Sequence, residues 1–151
     1  MTVRMVLNGA AATLPTTPST SLLRALRAAG YTGTTGACEQ GECGSCTVQL
    51  DDRLVCSCLV PALACEGRTV ATIERGVAAD LAAALARHGA VQCGFCTPGV
   101  VMAASALLDD PAPLERGRVV EGIAGNLCRC TGYLGIVDAV LDVDRARRQG
   151  R

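Results

Sequence analysis

Ten cysteines constrain this chain more than any other feature of it: Cys38, Cys43, Cys46, Cys56, Cys58, Cys65, Cys93, Cys96, Cys128 and Cys130. In a small secreted protein such a set would read as a disulfide framework. No charged-then-apolar leader opens the chain, so the expectation is a cytoplasmic protein, exported only if a partner carried the leader. In a reducing compartment the cysteines point to metal ligation. His88 is the only histidine, which excludes a two-histidine Rieske centre and a Cys2His2 zinc finger. No Cys-x-x-Cys-His occurs, which excludes c-type haem attachment.

Composition narrows the class further. Half of the 151 residues are hydrophobic, yet only Tyr31, Phe95 and Tyr133 are aromatic. Cores of small side chains bury little area per residue, so each half of the chain needs stabilisation beyond apolar burial. Arginines and acidic residues balance at 14 each, which leaves no basic surplus for nucleic acid. No apolar run reaches the length of a membrane span.

The first half reads as a small mixed sheet wrapped on one helix. Val3 to Leu7 and Ala12 to Leu14 form strands around Asn8-Gly9, a pair suited to a type I′ turn. Ser19, Thr20 or Ser21 caps a helix carrying Leu22, Leu23, Leu26 and Ala29 on one face, ended by Gly30. Residues 31–46 are a glycine-rich loop. Thr47 to Leu50 and Leu54 to Cys58 form a second hairpin, and Thr69 to Ile73 a last strand. The second half is helical: Ala78 to Arg87, closed by His88-Gly89; Pro98 to Leu108; Val119 to Ala124; and Tyr133 to Arg147. Four helices with short connections read as a compact bundle. The division falls at 1–76 and 77–151, an α+β arrangement. The arginines of the tail, Arg145 to Arg148, read as a solvated, frayed end rather than a partner-binding arm.

Two cysteine constellations carry the chemistry. Cys38-x4-Cys43-x2-Cys46 has the spacing of a plant-type [2Fe–2S] loop, with a fourth ligand downstream. Gly36, Gly41 and Gly44 let the backbone double back so that three thiolates surround one cluster and amides face the sulfurs. Zinc sites usually pair two Cys-x-x-Cys knuckles, and here the first gap is four residues. The fourth ligand is Cys56 or Cys58; on one strand, two residues apart, both face the same side. The other of the two, and Cys65, read as small buried hydrophobes. Cys93-x2-Cys96 with Cys128-x-Cys130 forms the second set, for which spacing alone leaves zinc as a competitor. Cys96 precedes one helix and Cys130 another, so two positive helix ends would favour an anionic cluster there. His88 reads as a helix-terminal residue and not a ligand.

The stretches Cys38-Glu39-Gln40-Gly41-Glu42-Cys43-Gly44-Ser45-Cys46, Ser57-Cys58-Leu59, Gln92-Cys93-Gly94-Phe95-Cys96-Thr97-Pro98-Gly99 and Gly125-Asn126-Leu127-Cys128-Arg129-Cys130-Thr131-Gly132-Tyr133 resemble the iron–sulfur subunit of the xanthine oxidase family of molybdenum hydroxylases. The resemblance runs from Val3 to Leu141. It implies an N-terminal β-grasp, plant-type ferredoxin-like domain followed by a C-terminal four-helix bundle, each holding one [2Fe–2S] cluster. It implies Cys38, Cys43, Cys46 and Cys58 as ligands of the first cluster, and Cys93, Cys96, Cys128 and Cys130 as ligands of the second. Gln92 matches the glutamine that contacts the molybdenum pterin.

The same resemblance implies a role: an electron-transfer subunit of an oxidoreductase, with no catalytic residue of its own. Electrons would pass from a molybdenum pterin, in dinucleotide form, on a large subunit, through both clusters, to FAD on a medium subunit. A flavin-free heterodimer reducing a cytochrome is the variant reading, and a zinc-binding scaffold the reading from another class. The sequence departs from the family at Ala79-Asp80 and Ala82, and in the link Thr72-Ile73-Glu74-Arg75-Gly76.

Overall fold

The structure, a computed structural model, describes residues 1–150. Strands β1 (Thr2–Leu7) and β2 (Ala10–Pro15) pair antiparallel around Asn8 and Gly9, whose φ angles of 52° and 87° are those of the expected turn. Alternation along β1 buries Val3, Met5 and Leu7. Helix α1 (Leu22–Ala28) is capped by Ser21, whose hydroxyl accepts from the Arg24 N–H at 3.3 Å. Strands β3 (Thr47–Leu50) and β4 (Arg53–Cys56) join through Asp51 and Asp52, both left-handed. With β5 (Thr69–Ala71) they complete a mixed sheet in the order β2-β1-β5-β3-β4, in which only β1 and β5 run parallel. Leu22, Ala25 and Leu26 of α1 pack with Val3, Met5, Val48 and Val70 in the first core.

Helices α2 (Ala79–Arg87), α3 (Thr97–Leu108), α4 (Arg116–Ile123) and α5 (Leu134–Arg148) surround a second core built on Leu81, Val101, Val119, Ile123, Ile136 and Val140. Pro98 sits in the first turn of α3, where its missing N–H costs nothing. His88 caps α2 and pairs through Nε2 with Asp142 of α5 at 2.6 Å. Among the described residues no helix is long and apolar enough to cross a membrane.

Several boundaries differ from the sequence reading. Strand β4 stops at Cys56 instead of Cys58, because Ser57 leaves the sheet: its carbonyl accepts from the Leu23 N–H (3.1 Å), and its N–H donates to the Cys46 carbonyl (3.2 Å). Strand β5 stops at Ala71 because the Thr72 N–H is taken by the Asn8 side chain (2.8 Å), and Ile73–Arg75 then form a single 3-10 turn. Helix α4 begins at Arg116 and not Val119. The tail is helical and tied down: Arg147 pairs with Asp80 (2.7 Å), and Arg148 pairs with Asp144 (2.9 Å) and donates to the Pro111 carbonyl.

Candidate metal centres

The first loop is built from main chain turned inward. Glu39, Gly41 and Gly44 are left-handed, which bends the segment until amides approach sulfur. The Gln40 and Cys43 N–H groups donate to the Cys38 Sγ at 3.4 and 3.5 Å. Those two bonds, Gln40 first, with the Cys43 thiol, lower the Cys38 pKa to about 6. Cys46 is buried and meets the Cys58 thiol; burial first and Cys46 second push Cys58 up to about 12.

Cys56 and Cys58 do not lie on one strand, since β4 ends between them. Both approach Cys46. Their hydrogen bonding differs in sense. The Gly41 amide favours the Cys58 thiolate, though less than burial disfavours it. The Cys56 thiol instead points at the Gly41 carbonyl, 3.8 Å away, and burial raises its pKa. Cys65 is fully buried in the sheet core, the small hydrophobe expected of it.

The second set gathers from two separate segments. Cys93 and Cys130 lie 3.5 Å apart, sulfur to sulfur, and the free thiols of Cys96 and Cys128 neighbour each other. Cys96 caps α3, so a positive helix end meets this set as expected. Helix α5 begins later than expected, at Leu134, after a left-handed Tyr133 whose phenol oxygen accepts from the Cys128 N–H at 2.8 Å. Burial raises the Cys128 thiol, but the Thr131 hydroxyl at 3.1 Å and neighbouring amides outweigh it and bring it to about 7. Burial, then Cys128, pushes Cys96 to about 12. Cys93 is lowered by the Phe95 amide and by Cys130, and Cys130 is raised by Cys93.

In both of these pairs a low thiol faces a high one. Two thiolates at such separation repel, and a bound cation removes the penalty. Sulfurs in pairs, with amides aimed at them, suit two irons that each take two thiolates. The donor set of both sites, thiols in pairs with amides beside them, fits a binuclear iron–sulfur core.

The two sets adjoin. A cleft of about 150 Å³ is lined by Cys43 from one and by Cys93, Cys96 and Cys128 from the other. Across the boundary the Leu127 N–H donates to the Cys43 carbonyl (2.8 Å), and the Thr35 hydroxyl to the Phe95 carbonyl (2.9 Å). The Asn126 amide, buried, donates to the Gly44 carbonyl (2.9 Å) and to the Thr47 hydroxyl (3.1 Å). In the sequence Asn126 stands only inside a motif, and nothing marks Thr35 as a bridge. The one available signal was an amide side chain held between Gly125 and an apolar residue ahead of a cysteine. Gln92 is exposed beside the exposed Cys93.

Residues 5–72 match the profile of a 2Fe-2S iron-sulfur cluster binding domain, and residues 69–141 that of a [2Fe-2S] binding domain. The xanthine dehydrogenase iron-sulfur-binding subunit of Escherichia coli O157:H7 is 47% identical over 113 residues, covering 71% of each chain. The nicotine 6-hydroxylase small subunit of Paenarthrobacter nicotinovorans is 48% identical over 106 residues, covering 68% of this chain and 64% of that one. The structure of quinoline 2-oxidoreductase from Pseudomonas putida 86 superposes with a TM-score of 0.91 at 40% identity, over 99% of this chain and 97% of that chain. A ferredoxin-like sheet joined to a helical half, both matched to 2Fe-2S binding domains, thus has its counterpart in these complexes. The chain belongs to the family of iron–sulfur subunits of the molybdenum hydroxylases, the electron-transferring, non-catalytic components of oxidoreductase complexes.

Proposed function

We propose that Cys38, Cys43, Cys46 and Cys58 hold one [2Fe–2S] cluster, that Cys93, Cys96, Cys128 and Cys130 hold the other, and that the chain conducts electrons between two partner subunits. The first site belongs to a β-grasp domain, residues 1–76, and the second to a four-helix bundle, residues 77–151. When bound, the clusters supply one-electron redox chemistry at each site. The amides of residues 40, 41 and 43 and the Thr131 hydroxyl stabilise the negative sulfurs and tune their potentials. Cys58 serves rather than Cys56, because Ser57-Cys58-Leu59 carries the family pattern and the Cys56 S–H points at the Gly41 carbonyl.

The exposed Gln92 and Cys93 face a large subunit carrying the molybdenum pterin, in dinucleotide form, with Gln92 contacting the pterin. The first site faces a medium subunit carrying FAD. Between them, the main chain from Cys128 to Leu127 and a single hydrogen bond to Cys43 form a continuous link. That adjacency of two paired-thiol sites, joined at 2.8 Å, is the observation that carries the reading.

The reading predicts about four irons and four acid-labile sulfides per chain, and two distinct paramagnetic signals on reduction. Cys130→Ser should abolish one signal, Cys58→Ser the other, and Cys56→Ser neither. A colourless, sulfide-free zinc protein would refute it, as would loss of both signals from folded Cys130→Ser protein.

A further inference from the structure

Three glycines meet where the two sites touch, and there is no room between them. A Cβ on Gly44 would lie 2.1 Å from the Gly125 carbonyl oxygen; one on Gly99 would lie 2.1 Å from the Gly44 carbonyl oxygen. Bare backbone therefore faces bare backbone, and the side chain inserted between them is the amide of Asn126, which is 5% exposed. Its nitrogen bonds Gly44 and Thr47, and the Thr47 hydroxyl donates to the same Gly44 carbonyl at 2.6 Å. Gly44 lies between Cys43 and Cys46, while Asn126 is two residues from Cys128.

We infer that Asn126 is the positioning residue that fixes the spacing between the two cluster sites, an inference that rests on the two-cluster reading above. Three properties single out asparagine. It must donate, because the atoms it faces are a carbonyl oxygen and a hydroxyl whose proton is already committed to that carbonyl. It must be short, because the glycine contacts on either side allow no displacement. It must be neutral, because a buried unpaired charge at this point would force the seam apart. Asn126 exchanges neither proton nor electron. One electron passes per transfer from the helical site to the sheet site, oxidising the first and reducing the second, with no bond broken.

The test uses the cluster-loaded protein in its complex. In the fully reduced wild type, the paramagnetic signals of the two sites should split one another through their proximity. Asn126→Asp replaces the donor with a carboxylate oxygen set against the Gly44 carbonyl. It should keep its iron and both signals and lose the splitting, with slower passage of electrons from the second site to the first. Full loading with unchanged splitting would overturn the inference and leave the two-cluster reading standing. If Asn126→Asp fails to load, Thr47→Val decides: weakened splitting supports the inference, and unchanged splitting overturns it. A wild-type protein with only one signal would instead overturn the reading beneath it.

Discussion

At the scale of single residues, Asp144 shows how a buried charge is retained. Its side chain is 8% exposed, and its carboxylate accepts from the Leu114 N–H (3.2 Å) and the Arg148 guanidinium (2.9 Å). Burial alone would raise its pKa, but these bonds outweigh burial and hold it below the ordinary carboxylate value. In the window just beneath that value the unfolded chain binds a proton that the folded chain refuses. The stabilisation from Asp144 is therefore complete above the ordinary value and is lost as pH falls through the folded one. Denaturant titrations from about pH 3 to pH 7 should show this as a wild-type acid slope that is shallower in Asp144→Asn. Near neutrality Asp144→Ala should cost about 2 kcal/mol, since it leaves the buried Leu114 N–H without its acceptor and removes the ion pair with Arg148, which keeps only its carbonyl partners.

At the scale of elements, helix α3 docks on strand β3, and Gly99 in its first turn lies against the main chain of Gly44, just ahead of that strand. Gly99→Ala sets a methyl against the main chain of Gly44, which cannot move aside as a flexible side chain could. A loss of about 3 kcal/mol follows, readable as a lower denaturant midpoint. Gly117 is the contrast: it lies in the exposed first turns of α4 with open space around it, so Gly117→Ala should be neutral or stabilise by up to about 0.5 kcal/mol.

The elements themselves were largely legible. Asn8-Gly9 declared its turn because few other pairs accept two positive φ angles, and Pro98 marked the start of α3. The end of β4 was not legible. Nothing in Leu54 to Cys58 tells that the Ser57 carbonyl is claimed by the Leu23 amide, 34 residues earlier in the chain. The tail was misread for the same reason: Asp80, the partner of Arg147, stands 67 positions away. Spacing grouped the cysteines into two sets and left Cys56 and Cys58 undecided, and nothing in the sequence tells that the Cys56 S–H points at the Gly41 carbonyl.

At the scale of the whole molecule, two separate aliphatic cores accompany two cysteine sites that, in the proposed reading, bind metal. Metal binding and folding are then coupled. Stripping iron with a chelator under reducing conditions should lower the thermal midpoint by roughly 10 °C or more. Hydrogen exchange should rise first in residues 36–46 and 125–131, while β1 and α5 stay protected. A midpoint unchanged by iron removal would show that the cores suffice alone.

The backbone-to-backbone contact of Gly44 with Gly99 and Gly125 also governs how such carriers can be recombined. A chimaera spliced only at the linker near Gly76 would inherit mismatched surfaces, however well each half folded. To graft either module onto another redox chain, an engineer must transplant residues 43–47, 99 and 125–127 as one unit, because complementarity here is stored in missing side chains.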